Sequence, residues 1–554
     1  MKKTIILLFV LCCNIASFAQ NQGTLTGDFM MNQYFFQTVP KITPSNALYN
    51  DYLAGSEAWL GLRYSQNGYN VTLRMDEFNN SNLYAPTSAM TGFGLGAWSI
   101  SKTYNELTIT GGYIYDQVGS GILFRSYEDR GLLIDNALVG VELKYKLDNH
   151  ILVKGFSGQQ KNVFGLYSPV IKGLSIEGDY DAGKVHLIPG VGALDRTVDQ
   201  SSMNKITATI QGYAPKDRFE PMFNTYAFTA YNTLTYKNLS WYFEGAYKTA
   251  EAIPNINLNG PNLVNKDGNI EYTSINYGQK GIAIGLTGKR TENFIMLTSP
   301  NEYGLPNSGM LNWQPVVAVL RPERLMSLYT PASQNLSEMA ATANVVISPS
   351  DYTTINLTYT NINELDNTKL YREGYADISN QKLEKWKFTA GVQYAEYNQS
   401  VYLVKSIDTG SGTGSNKQLI VYAITPFAEI TRKLSDKKSL RLEVSYDGTK
   451  QYYGSWLFGL LEYNIAPKLS FSVSDMYNVT PNKGADNPNY APDANGNWTP
   501  TPTHYYSVFA AYTKSANRFS VAYVRQVAGI NCSGGVCRYE PAFSGVKVMI
   551  TSSF

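Results

Sequence analysis

Three histidines, four cysteines and one compact charged cluster are the residues of this chain best suited to chemistry. His150 falls in a short polar turn, His186 in a stretch of ambiguous structure, and His504 where a long connection meets a strand. A hydrolase would need a nucleophile within hydrogen-bond reach of such a base. The motifs that arrange one are missing: there is no HExxH, no GxSxG and no phosphate-binding loop. Each histidine therefore reads as a solvated or interfacial side chain. Asp493-Ala494-Asn495-Gly496-Asn497 resembles the start of a calcium loop, but it lacks the glycine at position six, and His504 stands where the bidentate glutamate should be. We expect a non-enzymatic protein with no cofactor and no metal.

Cys12 and Cys13 lie in an apolar leader, which leaves Cys532 and Cys537. The residues between them include Gly534 and Gly535, so the chain can close tightly. For an exported chain a disulfide is the default. A metal pair or a redox dithiol is the alternative, but a metal would want two more soft ligands, and no histidine is near in sequence. The charged cluster is Arg125, Glu128, Asp129 and Arg130, set in the apolar stretch from Asp116 to Asp135. We expect this segment to fold inward and occlude a lumen, with Arg125 and Arg130 pairing acidic groups on the wall. The alternative is an exposed charged loop.

The elements that must position these residues are strands. The chain has 554 residues, of which 44% are hydrophobic, 16% charged and 13% aromatic, with 42 tyrosines. Mean hydropathy is −0.23. A helical bundle, a coiled coil, a polytopic helical membrane protein and a basic nucleic-acid binder are all excluded by this composition. Lys2 and Lys3, the apolar run Thr4 to Ile15, and Ser17-Phe18-Ala19 read as a signal peptide cut before Gln20, so residues 1–19 are leader and 20–554 a single domain. Without the leader, basic residues balance the 44 acidic ones, and no global field draws nucleic acid or anionic lipid. No later stretch approaches the roughly 20 apolar residues of a spanning helix.

Instead the chain alternates with period two. Leu440, Leu442, Val444 and Tyr446 face one way and Arg441, Glu443, Ser445 and Asp447 the other; Trp241, Phe243, Gly245 and Tyr247 oppose Ser240, Tyr242, Glu244 and Lys248. Tight polar turns are expected at Gln66-Asn67-Gly68, Thr103-Tyr104-Asn105, Leu147-Asp148-Asn149, Lys237-Asn238, Arg290-Thr291-Glu292, Ser348-Pro349-Ser350-Asp351, Tyr397-Asn398-Gln399, Ser435-Asp436-Lys437-Lys438, Ala466-Pro467-Lys468 and Ser515-Ala516-Asn517. Long Asn-, Gly- and Pro-rich connections fall between the pairs. The stretch Leu174 to Tyr213 has room for one more hairpin. Thr24 to Phe36 and Val546 to Phe554 would close a ring. This pattern predicts an all-β, transmembrane, antiparallel up-and-down barrel of about 22 strands (range 20–24), with short periplasmic turns, long extracellular loops and tyrosine-rich interfacial girdles. A TonB-dependent transporter is disfavoured, because strand-like sequence begins near Gly23 and leaves no room for an N-terminal plug domain.

Cys532-Ser533-Gly534-Gly535-Val536-Cys537-Arg538-Tyr539 and the run Gly119-Ser120-Gly121-Ile122-Leu123-Phe124-Arg125-Ser126-Tyr127-Glu128-Asp129-Arg130-Gly131 resemble segments of large outer-membrane barrels of the Bacteroidota, a family without an assigned biochemical role. The last residue, Phe554, resembles the terminal aromatic that barrel-assembly machinery recognises. The resemblance implies an outer-membrane location and a barrel, and brings no catalytic residues. The expected role is a non-enzymatic component of an envelope complex, for protein assembly, secretion or nutrient capture, in contact with outer-membrane lipid and with other outer-membrane proteins or lipoproteins. A porin-like diffusion channel for small solutes is the alternative.

Overall fold

The computed structural model describes residues 23–39, 52–84, 88–255, 261–302, 309–331, 337–406, 420–482, 490–492, 497–500, 503–533 and 536–554. The leader with Cys12 and Cys13, and the calcium-like residues 493–496, lie outside them.

Twenty-four strands form one closed antiparallel ring, slightly more than the expected 22. In chain order they are β1 (Thr24–Phe36), β2 (Ala54–Gln66), β3 (Tyr69–Tyr84), β4 (Ser88–Tyr104), β5 (Leu107–Ile114), β6 (Leu138–Lys146), β7 (Ile151–Asn162) and β8 (Gly165–Gly178). Next come β9 (Val185–Thr197), β10 (Asn224–Tyr236), β11 (Leu239–Pro254), β12 (Leu263–Gln279), β13 (Ile282–Glu292), β14 (Glu338–Ser350), β15 (Thr353–Glu364) and β16 (Lys369–Asn380). The last eight are β17 (Trp386–Asn398), β18 (Ile420–Ser435), β19 (Lys438–Asp447), β20 (Gly454–Ile465), β21 (Leu469–Pro481), β22 (His504–Lys514), β23 (Asn517–Gln526) and β24 (Phe543–Ser553). Each pairs with its neighbours, and β1 pairs with β24 from Asp28↔Ser553 to Phe36↔Gly545. Closure leaves the sheet without a free edge. At the seam Gly27 N–H donates to Phe554 O at 2.7 Å and Phe554 N–H donates to Gly27 O at 3.0 Å.

One rim carries only short turns. At the first, Asn67 and Gly68 take φ of 49° and 75°, the positive values a type I′ hairpin needs. Eight of the ten expected turns lie on this rim. The other two are corrected: Arg290-Thr291-Glu292 continues β13, whose hairpin turns instead at Lys280-Gly281, and Tyr397-Asn398-Gln399 ends β17 at the opposite rim. Polar residues at a strand end resemble a turn in sequence, and only the pairing register separates them. The ambiguous stretch does hold a hairpin, β8 to β9, followed by helix α1 (Gln200–Gln211). The opposite rim carries the long connections, among them 115–137, 198–223 and 293–337. Residues 163–164 and 365–368 are short connections on that same rim, so the alternation of short and long is incomplete.

The dyads point as expected. On β19, Leu442, Val444 and Tyr446 are 42–46% exposed on the outer face, while Glu443, Ser445 and Asp447 are at most 4% exposed on the inner one. The same inversion runs around the ring, with Leu73, Phe243, Leu357, Val473 and Val521 outside and Arg74, Glu244, Thr358 and Glu373 inside. A water-soluble protein arranges these classes the other way.

Candidate functional site: the occupied lumen

A ring of this size is too wide for its own side chains to fill. Two long connections fold back into it. The first, residues 115–137, makes two small hairpins, Gln117–Val118 with Phe124–Arg125 and Glu128–Asp129 with Ile134–Asp135. Its apolar residues Val118, Ile122, Leu123 and Phe124 are buried against Phe156, Ile171, Leu194 and Tyr231 of the wall. The wall is shaped to receive them: a Cβ added to Gly192 would lie 2.6 Å from Val118 Cγ1. Gly121, at φ +97°, makes the bend a side-chain-bearing residue resists.

Polar contacts then fix the segment. Ser120 N–H donates to Glu244 Oε2 at 3.0 Å, and Thr229 Oγ1 and Tyr242 OH donate to the same carboxylate. This fully buried carboxylate is thereby satisfied. Arg74 of β3 pairs with Asp76 at 2.7 Å, with Glu128 at 2.9 Å and with Asp135. Lys161 of β7 also pairs with Asp135. Asp116 lies 2.7 Å from Lys144 and 2.8 Å from Lys154. Burial alone would raise the Asp116 pKa, but a hydrogen bond from Glu142 and the two lysines hold it well below the usual carboxylate range. Burial likewise opposes ionisation of Asp135, and Lys161 and Arg74 overcome it.

The second inward segment, described over 293–302 and 309–331, packs beside the first. Arg125 N–H donates to Leu311 O and Trp313 N–H to Gly121 O, both at 2.8 Å. Lys289 on the wall donates to Pro315 O at 2.8 Å, Arg321 pairs with Glu373 at 2.8 Å, and Tyr329 OH donates to Asp447 at 2.8 Å. Burial raises the pKa of Glu323, with Arg321 opposing and the wall carboxylates Asp377 and Glu429 adding to the rise. A short helix, α2 (Gln399–Ser406), adds Tyr402, stacked on Tyr397 with ring centroids 5.0 Å apart.

Of the four cluster residues named from sequence, Glu128 and Arg130 pair with charged side chains of the strands. Arg130 pairs with the wall residue Asp28 at 2.9 Å and with Glu128 at 2.7 Å. Asp129 accepts from the Leu132 N–H at 3.0 Å. Arg125 differs from expectation: its guanidinium lies over the rings of Tyr127 and Trp313, at 4.3 and 5.6 Å from their centroids, and meets no wall carboxylate among the described residues. The wall side of the contact was missed in sequence. Arg74, Lys161 and Glu244 are charges at inward dyad positions in mid-strand, and that placement is the signal that could have found them.

The histidines do not come together. His150 Nδ1 lies 2.7 Å from Asp179 O, His186 Nδ1 lies 2.9 Å from Asp181, and His504 Nδ1 lies 2.7 Å from Asp475. Cys532 and Cys537 face each other across a small hairpin, Gly529–Ser533 with Val536–Glu540; their side chains lie outside the described ones.

Beside the second segment the lumen keeps an open cavity of about 610 Å³, lined by Arg321, Arg324, Tyr397, Tyr452, Tyr505 and Lys547 among others.

Solved structures of low identity are similar to the chain. A ferric enterobactin receptor (PfeA) mutant from Pseudomonas aeruginosa, solved with enterobactin, is 9% identical, with a TM-score of 0.40 over 97% of this chain and 82% of that one. The translocation pore of the P pilus usher (PapC) is 9% identical, with a TM-score of 0.41 over 96% and 99%. The unliganded ferric citrate transporter FecA is 10% identical, with a TM-score of 0.39 over 97% and 79%. No curated protein matches the chain. The family assignment covers the whole length: over residues 1–554 the chain belongs to the Family of unknown function (DUF6029).

Proposed function

We propose that this protein is exported, loses residues 1–19, and spans the outer membrane as a non-enzymatic barrel that is closed at rest and acts within an envelope complex. The observation that carries this reading is the inverted polarity of the ring together with a lumen filled by its own chain. An outer face of Leu, Val, Phe and Tyr suits hydrocarbon, and a lipid-exposed backbone must be satisfied internally, as this closed ladder does. The short-turn rim then faces the periplasm and the long connections face outward. Among the roles such a complex could have, the cavity beside the inward segments favours nutrient capture over protein assembly or secretion. Two apolar-backed segments wedged across the lumen weigh against a freely open porin.

The test is conductance in planar bilayers. The intact protein is expected to pass little current, and deletion of residues 119–131 is expected to open a pore. Unchanged current after the deletion, or solubility of the processed protein without detergent, would sink the reading. Mild extraction followed by native mass spectrometry is expected to find stoichiometric partners; a lone conducting oligomer would instead favour the diffusion channel.

A further inference from the structure

We propose that the lumen cavity binds a small organic anion with a flat aromatic or conjugated body, held by Arg324 and Lys547. Its volume, about 610 Å³, lies in the range that encloses small-molecule ligands. The proposal rests on the membrane-barrel reading only for the side from which the ligand enters.

The charges around the cavity do not balance. Arg321 is taken by Glu373 at 2.8 Å and by the face of Tyr375 at 3.6 Å. Glu540 is the acidic residue lining the cavity, and it already has Arg538 at 3.6 Å and Asn82 at 3.3 Å. Arg324, Lys547 and Arg525 remain, the last lying over the Tyr506 ring at 5.2 Å. Arg324 makes a 3.3 Å hydrogen bond to Ser327 Oγ and has no carboxylate within 4 Å among the described residues. Burial pulls its basicity down with no acid to oppose it. Lys547 donates to Gln526 at 3.2 Å, lies over the Phe543 ring at 4.6 Å, and also lacks a carboxylate within 4 Å among the described residues. Arg324 has no acidic group acting on it, and Lys547 feels Glu540 and Glu57 only from beyond ion-pair distance, so an anion in the cavity would complete both. Guanidinium suits carboxylate, sulfonate and phosphate oxygens.

The rest of the lining explains the second half of the ligand. Tyr452 and Tyr453 stack at 4.0 Å, and Tyr397, Tyr505 and Phe458 extend the aromatic surface. Flat rings offer stacking faces to a planar body. The cavity meets the second inward segment through Arg324, Ser327 and Leu328, so an occupant touches the same chain that fills the lumen.

The probe is pyranine, a planar fluorescent trisulfonate, titrated by anisotropy into the purified full-length barrel in neutral detergent, with the cationic acridine proflavine as the contrast. Saturable one-to-one binding of pyranine, competition by excess inorganic phosphate and no comparable binding of proflavine are expected. Arg324→Gln and Lys547→Gln should each weaken binding about tenfold or more, as loss of a charge-assisted hydrogen bond does, and Lys547→Arg should retain it. Lys172→Gln, which removes a more exposed cation outside the cavity, should leave binding unchanged. Equal binding by the cavity variants, or equal binding of both dyes, overturns the proposal. Should a variant fail to fold, phenylglyoxal labelling of the wild-type protein decides: pyranine should shield Arg324 and its cavity neighbour Arg525, and shielding only of arginines outside the cavity overturns the site. Failure of the dye leaves the detergent requirement and the bilayer behaviour untouched, so the two readings fail separately.

Discussion

Arg74 on β3 and Glu128 on the first inward segment are joined by a 2.9 Å ion pair, with the arginine side chain 7% exposed. The same guanidinium holds Asp76 and Asp135. One wall residue therefore ties down both ends of the second small hairpin.

Arg74→Ala is expected to remove one cation from each of Asp76, Glu128 and Asp135, which keep only Lys161 or Arg130. The cost should stay below the roughly 3–5 kcal/mol of a buried pair broken from one side. The segment 115–137 should loosen, seen as faster protease cleavage within it and as a rise in bilayer current, while the barrel stays folded. Current and cleavage equal to wild type would show that the apolar contacts of Val118 to Phe124 hold the segment unaided.

Acid should act on the same anchor. Asp116 and Asp135 have folded pKa values below the unfolded value of about 3.9. A depressed carboxylate contributes stability that is complete above the unfolded pKa and is lost as pH falls through the folded one. The first segment is therefore expected to hold at pH 5 and above and to loosen progressively below about pH 4. Glu323 on the second segment has its pKa raised by burial, so its contribution has the opposite sign: it is present at low pH and lost as pH rises through the folded value. Limited proteolysis with an acid-active protease at pH 3 should thus cut within 115–137 before 293–331. The reverse order would contradict the assignment.

The outer face sets the membrane prediction. Val444 is 46% exposed among Leu442 and Tyr446. Val444→Arg should destabilise folding into liposomes by about 2–4 kcal/mol if the position lies near the bilayer midplane, whereas Ser435→Arg at the turn rim should change it little. Equal, small effects at both positions would argue that no lipid surrounds the ring.

Cys532 and Cys537 are direct partners across their hairpin. A disulfide there is our proposal for the oxidising side of the membrane. Closing so short a loop is worth about 2 kcal/mol in the chain-entropy picture. Peptide mass spectrometry without reduction should show the pair two hydrogens lighter and resistant to iodoacetamide; alkylation of both thiols would refute it.

What the sequence determined by itself is the polarity of the strands. A side-chain period of two is local, so Leu442, Val444 and Tyr446 against Glu443, Ser445 and Asp447 could be assigned to opposite faces without any partner, and turn residues such as Asn67-Gly68 marked where strands reverse. The charged run from Asp116 to Asp135 also stands out in the sequence, which by itself leaves inward folding and an exposed loop open. Tertiary structure alone decided the rest. Strand count depended on register, which is why 290–292 and 397–399 passed for turns. The partners of the inward segments come from strands far apart in the chain: Arg74 and Lys161 meet at Asp135 while Glu244 holds Ser120, so three separate strands grip one segment. Arg125 chose the faces of Tyr127 and Trp313 because a second connection, 293–331, occupies the lumen beside it. Charge pairing at such a site is a property of enclosure, and enclosure is set by strands that no local pattern relates.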